Sequence, residues 1–106
     1  ATTANDRIEA AALAAVFGPA LAGLPVSSTK SMHGHLIGAT GAVELLAAIL
    51  ALRDGVIAPT MGFAQPDPDC PLDVVPNAAR EGRVSAVLSN AFAFGGMNAC
   101  LALRRV

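Results

Sequence analysis

A chain of 106 residues has room for one small domain or for part of a larger one. Apolar residues make up 54% of it and charged residues 14%, and its mean hydropathy is +0.56, more apolar than a small domain usually is; a membrane segment or faces meant for a missing neighbour would explain this. The net charge is −1, the charges are spread along the chain, and no Trp or Tyr interleaves with a basic patch, so nucleic acid is not expected as a partner.

In chain order, Ala1-Thr2-Thr3-Ala4-Asn5-Asp6 lacks the charged stretch and apolar core of a signal peptide. Asn5-Asp6 can cap a helix that sets Ile8, Leu13, Val16 and Phe17 near one face, with Gly18-Pro19 as its stop. Leu24 to Thr29 reads as a short extended segment. The polar stretch Lys30-Ser31-Met32-His33-Gly34-His35 leads into an apolar run from Leu36 to Leu52, which Arg53-Asp54-Gly55 ends. That run is shorter than the roughly 20 residues of a spanning helix and contains Thr40 and Glu44, so a membrane span is rejected and unpartnered faces are favoured. The run predicts a helix buried on most of its circumference, in which Gly38 and Gly41 admit a close backbone neighbour.

Ala58 to Pro76 is rich in Pro and Asp and predicts an ordered irregular loop. Val84 to Asn90 and Met97 to Leu103 read as two strands, joined by the glycine turn Phe92-Ala93-Phe94-Gly95-Gly96 into an antiparallel hairpin. Helix, strand, helix, strand, strand is an α/β order, but so small a sheet leaves one face bare.

Several of these residues can carry chemistry. His35 and Lys30 flank a glycine-containing turn at the mouth of the apolar helix, where a neutral imidazole can donate a hydrogen bond to a developing oxyanion; packing of the His against the turn is the plainer alternative. Glu44 lies among apolar residues, so it either pairs with a buried cation, Lys30 being the nearest candidate, or sits on a narrow solvent stripe. His33 is read as a turn residue, Cys70 as a loop thiol and Cys100 as strand packing. The two thiols have no metal-ligand spacing and suit a reducing cytoplasm. Gly95-Gly96 either presents main-chain N–H groups to an anion or thioester oxygen or simply makes a turn.

Two long motifs bear a family resemblance. Val26 to Glu44, spelled VSSTKSMHGHLIGATGAVE, resembles the second active-site block of elongating β-ketoacyl-acyl-carrier-protein synthases, and Ser89 to Asn98, SNAFAFGGMN, resembles their C-terminal glycine-rich loop. Ala51 to Gly55 and Leu72 to Pro76 also fit, so the resemblance spans essentially the whole chain. Within the family, Met32-His33-Gly34-His35 and the Ala93-Phe94 loop are most similar to a specialised branch that handles unusual acyl chains.

The resemblance implies the C-terminal portion of a thiolase-like αβαβα layered domain, and it assigns roles residue by residue. His35 would hydrogen-bond the malonyl thioester carbonyl during decarboxylation, and Lys30 would orient the family's histidines. Glu44, Asp6 and Glu9 would hold that lysine in a charge network. Phe94, Gly95, Gly96 and Asn98 would form the gating and oxyanion loop, with Phe94 lending its N–H, and Thr2 would contact the pantetheine arm. The family's nucleophilic cysteine matches neither Cys70 nor Cys100, and its other catalytic histidine is expected just before Ala1, so this chain alone is expected to be inactive. Ala93 stands for a usual glycine and Met97 and His33 for usual threonines, which bears on loop motion and substrate preference.

The implied reaction is decarboxylative Claisen condensation of an acyl thioester with malonyl-acyl-carrier protein. No metal or redox cofactor is implied, because the phosphopantetheine arm arrives on the carrier protein. The implied partners are acyl carrier protein, the rest of the synthase polypeptide and a second subunit in a homodimer. The rival readings are a chain-length-factor-like partner that binds carrier protein without condensing, and an independent binding module. The residue at the upstream nucleophile position separates the first from a synthase, and cooperative melting of a stable monomer would favour the second.

Overall fold

Thr2 starts the first helix: its Oγ1 accepts the Asn5 N–H at 3.1 Å, satisfying one of the donors a helix leaves open at its beginning. The cap is therefore Thr2, and Asn5 and Asp6 lie inside the first turn. The computed structural model describes residues 2–106. Helix α1 spans Thr3–Phe17, closes at Gly18 and passes into a 3₁₀ segment, Gly18–Gly23, that contains Pro19. Strand β1 (Pro25–Val26) leads into the one-turn helix α2 (Lys30–His33) and a 3₁₀ turn over Ile37–Ala39, before α3 runs from Thr40 to Asp54. The apolar run thus does not start its helix at Leu36, because Thr40 Oγ1 takes the Leu36 N–H at 2.9 Å and Ile37 adopts a left-handed φ of 51°.

Helix α3 ends on Gly55, in the left-handed region with φ 70°, whose N–H donates to Ala51 O at 3.0 Å. A Cβ at Gly55 would also stand 2.9 Å from the carbonyl oxygen of Gly82, so only glycine fits where the two backbones meet.

After α3 come β2 (Val56–Ile57), β3 (Asp73–Val74) and β4 (Arg80–Glu81), followed by the long strands β5 (Ala86–Ala93) and β6 (Met97–Arg104). β1 pairs in parallel with β3, β2 pairs antiparallel with β4, and β5 pairs antiparallel with β6 from Ala86↔Arg104 to Ala93↔Met97. The expected hairpin is present, with its turn narrowed to Phe94-Gly95-Gly96, where the glycines have φ of 82° and 78°. Ala93 lies within β5, outside the left-handed region, so the alanine is accommodated without backbone strain. The expected irregular loop between Ala58 and Pro76 is ordered by a parallel bridge between Thr60 and Pro76.

Helix α3 packs along β5, and its C-terminal end is tied to the open end of the hairpin. There Arg105 donates to Arg53 O at 3.4 Å and, through its N–H, to Ser85 O at 3.0 Å. The helix and β5 therefore run in opposite directions, which sends the N-terminal turn of α3 toward the hairpin tip that carries Phe94.

The buried apolar side chains among the described residues are Ala10, Leu21, Ala51, Leu52 and Val75, the last only 1% exposed. Against this small core stand wide apolar exposures. In α1 the packed stripe runs through Ala10, Leu13 and Phe17, while Ile8 and Val16 are 68% and 75% exposed, so the expected single face is split. In α3 only Thr40, Ala51 and Leu52 are buried and Leu46, Ile49 and Leu50 are exposed, which corrects the expectation of burial around most of the helix. A Cβ at Gly38 or Gly41 would meet nothing within 4 Å, so the expected close backbone neighbour is not supplied by the described residues. The accessible surface is 7267 Å², whereas a self-contained chain of this length exposes about 5,500 Å². The excess is the size of a large protein interface.

Candidate active site

The polar turn before α3 is built by its own backbone. Helix α2 is too short to stand alone and is held from both sides: the Thr29 hydroxyl contacts His33 Nε2 at 2.9 Å, and His33 Nδ1 meets Gly34 O at 2.8 Å. A carbonyl oxygen only accepts, so Nδ1 of His33 carries the proton and Nε2 takes the Thr29 hydroxyl. His33 is thus spent on the turn, in keeping with its reading as a turn residue.

His35 has the opposite arrangement. Its Nδ1 accepts the Ile37 N–H at 2.9 Å and faces the Thr40 hydroxyl at 3.3 Å. A ring nitrogen that accepts a main-chain N–H holds no proton, so the neutral ring carries its proton on Nε2, which has no partner among the described residues. Ile37 supplies that donor from a left-handed backbone, unusual for a β-branched residue, and its side chain is 85% exposed. Thr40, 6% exposed, completes the arrangement by accepting from Leu36 with its oxygen while offering its hydrogen toward His35. Sequence reasoning noted Thr40 only as a polar break in an apolar run; the available signal was a hydroxyl residue at the start of a helical pattern.

Lys30 Nζ and Glu44 Oε1 form an ion pair, with 28% of the lysine side chain and 14% of the glutamate side chain exposed. Of the two readings left open for Glu44, the structure gives the paired one. A carboxylate so far out of water needs a cation, and Lys30 reaches it from the turn that carries both histidines.

The other expected members of the charge network lie elsewhere. Glu9 receives the side-chain N–H groups of Asn5 at 3.3 Å and of Asn90 at 3.4 Å, the latter bridging α1 to β5. Asp6 is exposed, and among the described residues neither Asp6 nor Glu9 pairs with Lys30. The physical reason for Glu9 is that its two carboxylate oxygens are taken by the Asn5 and Asn90 amides, and α1 faces the hairpin across an open cleft. One part of that cleft, about 220 Å³, is lined by Leu13, Val16 and Phe17 of α1 and by Leu88, Phe92 and Cys100 of the hairpin. A second part, about 320 Å³, holds Glu9 and Asn5 opposite Phe92 and Asn98. Asn98 and Glu9 therefore share one cavity, and Asn90, which sequence reasoning left in a strand, links its two walls.

Phe94 sits at the hairpin tip, 98% exposed, above the two left-handed glycines. Thr2 uses its oxygen as the cap of α1, which leaves its hydroxyl hydrogen to donate. Cys70 has its thiol pushed up by burial first and then by the nearby carboxylates of Asp67 and Asp6, so it rests as an unreactive thiol, as expected of a loop cysteine. Cys100 is exposed and lines the cleft rather than packing in a sheet core.

Helices laid on an antiparallel hairpin, with an imidazole and an ion pair gathered around the N-terminal side of α3, make an α/β arrangement, and its likeness to solved ketosynthases makes it a portion of a thiolase-like layered domain. The model of the β-ketoacyl synthase C-terminal domain matches residues 1–64, and the chain belongs to that family. It is 53% identical over 105 residues to nodulation protein E of Rhizobium sp. (strain N33), covering 99% of this chain and 26% of that protein. It is 50% identical over 105 residues to 3-oxoacyl-[acyl-carrier-protein] synthase 2 of Coxiella burnetii (strain RSA 493 / Nine Mile phase I), covering 99% of this chain and 25% of that protein. A solved type II polyketide ketosynthase in complex with its acyl-carrier protein, bound to the hexaketide, superposes with a TM-score of 0.95 at 34% identity, covering 99% of this chain and 26% of the other. The chain thus spans about a quarter of the length of the relatives it matches. The resemblance to nodulation protein E and to the elongating synthases holds across nearly its whole length. No helix among the described residues is long and apolar enough to cross a membrane.

Proposed function

We propose that this chain supplies the decarboxylation side of an elongating β-ketoacyl-acyl-carrier-protein synthase. The carrying observation is the state of His35: Nδ1 is occupied by the Ile37 N–H, and Nε2–H is left to donate. In the reaction an upstream cysteine thiolate takes an acyl group from its carrier thioester, releasing the carrier thiol. The malonyl thioester then binds with its carbonyl oxygen accepting from His35 Nε2–H. The bond to the carboxylate breaks, CO₂ departs, and its electron pair forms an enolate whose oxygen the imidazole N–H stabilises. The enolate carbon attacks the acyl-cysteine carbonyl. The resulting oxyanion is held by main-chain N–H groups, among them that of Phe94, until the cysteine thiolate leaves and the β-ketoacyl thioester remains.

Lys30 pairs with Glu44 and places the turn that bears His35; Gly95 and Gly96 let the Phe94 tip swing, Asn98 backs that loop, and Thr2 donates to the pantetheine arm. Glu9 steadies Asn90 of the hairpin from α1, and Asp6 lies on the same helix. The reaction needs no metal or redox cofactor. The acyl carrier protein is the partner that brings both thioesters, the whole protein works as a homodimer, and the setting is the cytoplasm.

The test uses the whole synthase. His35→Ala is expected to lower CO₂ release from malonyl-acyl-carrier protein by about 10²- to 10⁴-fold while acyl loading of the cysteine continues. Equal CO₂ release by wild type and variant would refute the assignment. A wild type that loads no acyl group and releases no CO₂ would identify a non-condensing partner instead.

A further inference from the structure

We infer that Asn77 is a positioning residue for the histidine turn, acting through the Thr60–Phe63 segment. This rests on the synthase reading above and adds to it a residue that touches neither substrate nor histidine. Asn77 has a left-handed backbone with φ 55°, and its side chain makes three hydrogen bonds. Oδ1 accepts from the Gly62 N–H at 2.8 Å and the Phe63 N–H at 3.1 Å, and Nδ2 donates to Phe63 O at 2.7 Å. Its own N–H donates to Thr60 O at 3.1 Å. One amide thus closes the turn that follows the Thr60–Pro76 bridge.

The other side of that turn holds the chain around Lys30. The Ser28 N–H donates to Thr60 Oγ1 at 2.9 Å, and the Met61 N–H donates to Ser31 Oγ at 2.8 Å. Ser31 in turn donates to Ser28 O at 3.1 Å, and the Ser27 hydroxyl donates to Ala58 O. Lys30 and Thr29 lie between these anchors, and Thr29 is the residue that holds His33. If the Asn77 amide is lost, Gly62 and Phe63 lose their acceptor and Met61 beside them loosens its hold on Ser31. Thr60 stays held by its N–H to Val75 O at 2.8 Å, so the Ser31 anchor of the Lys30 turn moves against a fixed Ser28 anchor.

The chemistry is sensitive to such drift, since a misplacement on the order of 1 Å can cost up to about a hundredfold in rate. Asn77→Gly keeps the left-handed backbone and removes only the amide; Asn77→Asp keeps the acceptor for Gly62 and Phe63 but sets a second acceptor against Phe63 O in place of the Nδ2 donor. In the whole synthase, Asn77→Gly is expected to slow malonyl decarboxylation about tenfold, with acyl loading and the malonyl KM within about twofold, and Asn77→Asp to recover part of the rate. The ¹⁵N spectra of ring-labelled histidine give a readout independent of turnover: Asn77→Gly should move His33 from its Nδ1–H form to a mixture of tautomers.

A variant that only lowers Tm, with loading and decarboxylation changed equally and the His33 signals unmoved, would overturn the inference. A wild type that does not decarboxylate would sink the synthase reading instead. In that case an unmoved His33 would still reject the clamp, and a shifted one would uphold the positional link.

Discussion

The turn from Ser27 to Ser31 and the cleft between α1 and the hairpin are finished to different degrees. The turn is closed by hydrogen bonds from nearby backbone and from Thr60, Met61 and Ala58, and its ion pair is internal to the chain. Among the described residues the cleft has one hydrogen bond across it, from Asn90 to Glu9, and its walls expose Ile8, Val16, Leu88 and Phe92. Polar groups must find partners within about 3 Å, so they are satisfied locally or not at all. Apolar groups need only area, and a neighbour from any part of the polypeptide can provide it. The chain therefore carries a polar turn closed by its own hydrogen bonds on a body whose apolar surfaces are open.

The sharpest way to break this contrast is to cut the ion pair. Lys30→Met leaves the Glu44 carboxylate mostly out of water with no cation, and is expected to cost about 2–4 kcal/mol in the whole synthase. The double variant with Glu44→Gln should be less destabilised than the single one. Chemical denaturation of both decides the matter, and a double variant that loses the sum of the single effects would mean the two groups do not interact.

The cleft gives the next largest effect, with a change of sign between contexts. Ile8→Glu with Val16→Glu should reduce dye binding and self-association of the isolated chain, because these side chains are then on its surface. In the whole synthase the same pair should destabilise by about 1–3 kcal/mol in total, as polar groups buried without partners. Size measurement and thermal unfolding read the two arms, and improved stability in both would show that nothing covers this face.

The smallest effect concerns a contact that closes the β3–β4 region. Arg80 grips Asp73 through two hydrogen bonds of 2.6 and 2.8 Å, which hold the Asp73 carboxyl below the usual carboxylate range. A carboxylate whose folded-state pKa is depressed adds stability above its unfolded pKa, near 3.8, and that stability is lost as pH falls through the lower folded value. Arg80→Ala should therefore move acid unfolding to higher pH and leave stability above pH 6 nearly independent of pH. An acid-unfolding midpoint that does not move would remove Asp73 from the acid response.

The amino-acid sequence by itself determined what chain-local chemistry can decide. Glycine and proline at Gly18-Pro19, Gly55 and Gly95-Gly96 mark where elements stop, and the apolar run after His35 requires a helix. An acid among apolar residues pairs with a cation or reaches solvent, and Lys30 was the nearest cation that Glu44 pointed to. The family motifs lie within continuous stretches and could be recognised without knowing how those stretches meet.

Only the tertiary structure decided which surfaces are covered. Periodicity marks Ile8 and Val16 as apolar but cannot say whether a neighbour arrives, and it gave α3 a burial that this chain does not provide. Nor could spacing place Asn77 against Gly62 and Phe63, set Glu9 toward Asn90 rather than Lys30, or show which nitrogen of His35 is free. Each of those facts depends on direction and distance between segments far apart in the chain. A hydrogen bond tolerates only a few tenths of an ångström, a precision fixed by the packed backbone and not by residue type.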